Sequence, residues 1–218
     1  KYMSPRPATP TLMIPWQGIG NWCYPLIEAN IDDSGLRKLA GDSNKIYFNQ
    51  VPYQTPGAKE QSNIVYTSRW DNYPDTVTIP VSGNAVQLNL LMAGSTNHQQ
   101  SQMINAKVIV RYQDGTTDSL NLVNPVNWWP IEQDFFEDGL AFTTGAPRPY
   151  RLLLKTGEIS DRFKNYTGIK GYSNLAIDGG AATFLQLPLQ KNKTLQSVTL
   201  TTLTNEVVVG LMAATLIR

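Results

Sequence analysis

Sulfur and imidazole are almost missing from this chain: Cys23 is its one cysteine and His98 its one histidine. A lone cysteine closes no intrachain disulfide and builds no cysteine-rich metal site. A lone histidine excludes a multi-histidine zinc or iron centre. Charge is sparse as well, at 16% of residues with a net charge of +1. No basic cluster stands out, so a nucleic-acid or anionic-membrane partner lacks its electrostatic footprint. No apolar run reaches the roughly 18–20 residues of a membrane span, and no secretory core is visible near the start. The first residue is Lys1 and not Met, as expected of a processed product or a piece of something longer.

What the chain does have is punctuation, with 14 Pro and 16 Gly among 218 residues. Few helical patterns accompany them, which points to many turns between short strands. Residues 1–15 are Pro-rich (Pro5, Pro7, Pro10, Pro15) and read as an extended lead-in. Residues 16–218 read as one β domain, a length at which sandwiches commonly stay undivided. In Val86, Leu88, Leu90 and Met92 the apolar residues recur at every second position, the period of a strand with one buried face. Residues 107–112 and 119–123 flank Asp114-Gly115, a hairpin signal because that turn needs positive φ at both central residues. Further strands are expected at 45–48, 77–81, 150–154, 183–187, 195–203 and 206–216. The unbroken Val207-Val208-Val209 suits a strand covered on both faces. Polar or irregular connections are expected at 51–62, 93–102, 128–145 and 155–173, with one helical turn near 132–136. The fold class is therefore all-β, an antiparallel β-sandwich or jelly roll.

Candidate chemistry gathers where these strands stop. Trp70-Asp71-Asn72-Tyr73 and Trp128-Trp129 with Glu132 and Gln133 join aromatic faces to polar side chains, the ingredients of a site for sugar rings and their hydroxyls. Asn97 and His98 add an amide and an imidazole at a strand end. These segments are expected to form a rim groove. Glycoside hydrolysis requires two suitably spaced carboxyls, for which Glu132, Asp134 and Asp71 are the candidates. Asp32-Asp33-Ser34-Gly35 either caps a short helix through Leu39 or supplies oxygens to a cation.

Several segments together also resemble a known family: Ile31-Asp32-Asp33-Ser34-Gly35-Leu36-Arg37, Trp70-Asp71-Asn72-Tyr73-Pro74-Asp75, Leu91-Met92-Ala93-Gly94-Ser95-Thr96-Asn97-His98, Asn127-Trp128-Trp129-Pro130-Ile131-Glu132-Gln133-Asp134 and Asn205-Glu206-Val207-Val208-Val209-Gly210-Leu211-Met212. They look like the C-terminal sandwich region of large gut-bacterial proteins counted among glycoside hydrolases, a family known as domain of unknown function 4450. The resemblance implies a galactose-binding-like jelly roll, in which a structural calcium is an open alternative at Asp32 and Asp33. It also implies a polysaccharide-processing parent protein in the periplasm or at the cell surface, with a glycan and the parent's catalytic domain as partners. The helical catalytic barrel of such proteins has no counterpart here. The chain is thus expected to be a carbohydrate-binding accessory module. The alternatives are a hydrolase in its own right and a purely structural domain packed on a catalytic neighbour.

Overall fold

The computed structural model describes residues 11–12, 31–69, 73–96, 101–140, 142–169, 173–205 and 207–218. In chain order the elements are β1 (Thr11–Leu12), α1 (Ser34–Ala40), β2 (Lys45–Phe48), β3 (Val51–Gln54), β4 (Ile64–Ser68), β5 (Thr76–Pro80), β6 (Gln87–Thr96), β7 (Ile104–Tyr112) and β8 (Thr117–Val123). Then follow β9 (Arg151–Leu153), β10 (Ile159–Ser160), β11 (Thr167–Ile169), β12 (Ser173–Ala176), β13 (Ala181–Pro188), β14 (Leu195–Thr202) and β15 (Val207–Ile217). A seven-stranded sheet, in the order β1-β4-β15-β6-β13-β9-β10, faces a four-stranded sheet, in the order β5-β14-β7-β8. All the strand pairings are antiparallel. The molecule is a β-sandwich, and its chain passes back and forth between the sheets.

Period-2 burial decides which residues meet. On β6, Leu88, Leu90 and Met92 enter the core between the sheets, against Val108, Val110, Val198 and Leu200 of the smaller sheet. Leu91 and Ala93 turn to the opposite face, where α1 and the β2–β3 hairpin cover the larger sheet with Leu36, Ala40, Ile46 and Tyr53. The larger sheet is therefore buried on both sides, and the smaller one on a single side. Val207 and Val209 lie in the inner core and Val208 in the outer one, which accounts for their unbroken apolar run.

The expected strands are present, several with shifted ends. β6 runs on to Thr96, through residues expected to begin a loop, because Ser95 and Gly94 still pair with Val208 and Val209. Residues 51–54, read as loop on the strength of Pro52, form β3. Only β2 pairs with β3, and an edge strand tolerates a proline that lacks an N–H. The 155–173 connection contains β10, β11 and the start of β12, each too short to show a period. Thr11–Leu12, inside the expected lead-in, pairs with β4. Residues 132–136 form no helical turn: Gln133 makes an isolated antiparallel bridge to Ala176. The aromatic and glycine-rich run 16–25 lies outside the described residues.

Candidate functional site

Four connections leave one end of the sandwich: 69–75 between β4 and β5, 97–103 between β6 and β7, the segment from 124 after β8, and 203–206 between β14 and β15. Backbone bonds tie their described parts together. Ser68 N donates to Pro74 O at 2.9 Å, Thr202 N to Asp75 O at 2.9 Å, Gln102 N to Asn124 O at 2.7 Å and Leu203 N to Asn105 O at 2.8 Å. Arg69 Nη1 donates to Leu203 O at 2.9 Å. Trp70, Asp71, Asn72, Asn97 and His98 belong to these connections by sequence and lie outside the described residues.

The described members of the expected groove sit in the interior instead. Trp128 is 0% exposed and Trp129 1% exposed. Trp128 belongs to the core between the sheets, where its ring rests on Gly94: a Cβ there would lie 2.7 Å from the indole and 2.1 Å from Val208 O. Trp129 stacks on Phe135 with centroids 5.6 Å apart and meets Phe142 edge-on at 5.7 Å. Tyr73 packs beside Tyr66 in the outer core, centroids 5.3 Å apart. Rings this deeply buried present no face to a sugar. The expectation that Trp128, Trp129 and Tyr73 line an open groove is corrected: indoles carry the most apolar area of any side chain, and this end of the sandwich uses them to close its cores.

The acids on the same segment are interior too. Residues 130–134 are spliced in where β6 and β13 part. Ile131 N donates to Gly94 O at 2.7 Å, Ala181 N to Ile131 O at 2.8 Å, Ile177 N to Glu132 O at 2.8 Å and Asp134 N to Leu175 O at 2.9 Å. Arg151, the first residue of β9, fastens this splice from below. Its Nη1 donates to Gln133 O at 2.5 Å, and its Nη2 to Pro130 O at 2.9 Å and Ala181 O at 3.0 Å. Asp134 lies 3.8 Å from both Arg151 and Arg148, and Tyr166 Oη donates to it at 2.6 Å. Burial, with Asp134 as the acceptor, pushes the Tyr166 hydroxyl up to about 12. Burial lowers Arg151 to about 10 against the pull of Asp134 and Glu132.

Glu132 is the unusual member. It is 2% exposed, and among the described residues neither carboxylate oxygen has a hydrogen-bond partner. Burial raises its pKa to about 7, with Arg151 opposing the shift. A carboxyl there is held close to neutral because the charged form is poorly solvated. Glu132, Gln133 and Asp134 are thus enclosed, and the expectation that they face a ligand at the rim is corrected. A backbone that threads between two strands carries its side chains into the packed layers on either side. The sequence reading missed Arg151, Arg148 and Tyr166. One signal was available, an arginine opening the apolar run Leu152-Leu153-Leu154.

Asp32 and Asp33 are occupied by their own chain. Asp32 Oδ1 accepts from Ser34 N at 2.9 Å, a bond that lowers the Asp32 pKa and satisfies an early helical N–H of α1. Asp33 Oδ2 accepts from Arg37 Nε at 3.0 Å and Asn63 Nδ2 at 2.7 Å. Among the described residues no group of three or more His, Cys, Asp or Glu could hold a metal ion. Asp33 stands at the N-cap of α1 and makes no side-chain cap bond there; the bond to an early helical N–H comes from Asp32, one residue before it.

No protein-family model matches the chain, and a search of curated proteins returns no match either.

Proposed function

We propose that this chain is a non-catalytic, carbohydrate-binding accessory β-sandwich of an exported polysaccharide-processing protein. The observation that carries this reading is the gathering of four connections at one end of a framework whose cores are closed beneath them. Binding residues are disproportionately loop residues held by a rigid scaffold. The sequence supplies Trp70, Asp71, Asn72, Asn97 and His98 to those connections. The resemblance to domain of unknown function 4450 supports the same reading. The hydrolase alternative loses ground because Glu132 and Asp134 are sealed from solvent and Asp134 is engaged by Tyr166.

The test is affinity electrophoresis on a panel of plant and host polysaccharides, comparing the native chain with a Trp70→Ala/His98→Ala double variant. Retardation of the native chain by at least one polymer, lost in the variant at an unchanged melting temperature, supports the reading. Equal retardation of both proteins, or none of either, overturns it.

A second reading has its own observation. Leu140 is 81% exposed and Phe136 42% exposed, on one loop that Asp138 Oδ1 organises by accepting from Leu140 N at 2.7 Å and Phe142 N at 3.0 Å. Exposed apolar side chains on an ordered loop suit a packing surface for the parent's catalytic domain. A chain that ignores every polysaccharide but co-elutes with that domain, and stops doing so as Leu140→Asp, would favour the second reading.

A further inference from the structure

The outward face of the four-stranded sheet stands apart from the loop end. Its register sets three rows across four strands: Thr76–Thr201–Lys107–Asn121, Thr78–Thr199–Ile109–Ser119, and Pro80–Ser197–Arg111–Thr117. The burial alternation turns each of these residues away from the core. Seven of the twelve positions carry a hydroxyl and none carries an acid, in a chain with nearly as many acids as bases. Threonines pair across the strands, Thr78 Oγ1 with Thr199 Oγ1 at 3.0 Å and Thr76 Oγ1 with Thr201 Oγ1 at 3.3 Å. These bonds link β5 to β14 within a lattice of twelve outward positions.

Lys107 and Arg111 are the only charges on this lattice. Among the described residues neither has an ion-pair partner. They lie four residues apart on one strand and on the same face, hence roughly 13 Å from one another. A single small anion cannot bridge that distance. An extended chain carrying repeated negative groups can, with its hydroxyls meeting the threonines between.

We propose that this sheet face binds an anionic polysaccharide, one bearing uronate carboxylates or sulfate esters, laid along β7. The inference rests on the reading of the chain as a glycan-binding module and adds both a second surface and a ligand class. Nucleic acid is the less suitable polyanion, since specific and non-specific DNA binders commonly neutralise about 6–10 phosphates. Two cations set among hydroxyls suit a polymer of lower charge density.

The experiment is affinity electrophoresis of the native chain and of Lys107→Gln/Arg111→Gln in gels containing polygalacturonate, dextran sulfate, neutral dextran or duplex DNA. Both substituted side chains project to solvent, so the fold is checked by an unchanged melting temperature. The expected result is retardation of the native chain by polygalacturonate or dextran sulfate and not by neutral dextran. The polymer that retards it distinguishes carboxylate from sulfate. The double variant should bind roughly fivefold more weakly, the loss of two exposed charge contacts. Equal retardation of native chain and variant overturns the proposal, as does stronger retardation by duplex DNA. A native chain that binds neutral glycans alone overturns this proposal and leaves the accessory-module reading standing. A chain that binds no polysaccharide defeats both.

Discussion

Trp128 shows how far a single side chain can be read. Its indole seals the inner core on Gly94, so Trp128→Ala should cost about 3–5 kcal/mol, the range for large-to-small substitutions at buried aromatics. In a chain of this length that corresponds to a fall in melting temperature on the order of 10 °C, measurable by differential scanning calorimetry. A shift of only a degree or two would return the ring to the surface. Glu132 makes a second prediction. Its folded pKa lies near 7, above the ordinary 4.5, so the folded state holds the proton more tightly than the unfolded state does. Stability linked to this group is complete at pH 4 and declines as pH rises towards 7, by on the order of 3 kcal/mol. Arg151 opposes the shift, and Glu132→Gln keeps its size without its titration. The variant should therefore lose less stability than the native chain between pH 5 and pH 7.5, as followed by urea unfolding. Parallel pH profiles for the two proteins would refute the assignment. The identity of these residues was legible in the sequence, but their depth was not. A Trp-Trp pair followed by acids has the same composition whether it lines a groove or plugs a core, and the deciding fact is Gly94, which lies more than thirty residues away.

Among the elements, the 130–134 splice and β9 form one unit. Arg151 donates three bonds, to the carbonyls of Pro130, Gln133 and Ala181. Arg151→Met should free those carbonyls and leave Asp134 short of a counter-charge, at a cost of about 3–5 kcal/mol, as when one partner of a buried ion pair is removed. Amide hydrogen exchange should show the loss first at Ile131, Asp134, Ile177 and Ala181, whose N–H groups bond within or beside the splice. Uniformly faster exchange across the sandwich, with no local maximum there, would argue against a clamp. The long strands were visible in the sequence by different signals: β6 and β14 by period-2 alternation, β7 by the hairpin turn that follows it and β15 by its unbroken apolar run. Elements held by tertiary pairing alone, such as β10 and β11, leave no local pattern. The splice is harder still to foresee: its hydrogen bonds come from segments some forty residues apart on either side.

For the whole molecule, the architecture allots separate work to separate surfaces. The seven-stranded sheet is covered on both faces and serves as the framework. The four-stranded sheet offers an acid-free hydroxylated face, and one end of the sandwich gathers the loops. The sandwich class is legible in proline, glycine and period-2 alternation, whereas the division of surfaces depends on the register between strands. The central claim is that this chain holds a polysaccharide without cutting it. The most direct measurement incubates the native chain with each polymer that retards it in a gel and assays the release of reducing ends. The account predicts retardation with no reducing ends above a protein-free control, unchanged in Glu132→Gln and Asp134→Asn. Reducing ends that appear with the native chain and vanish with either variant would contradict it.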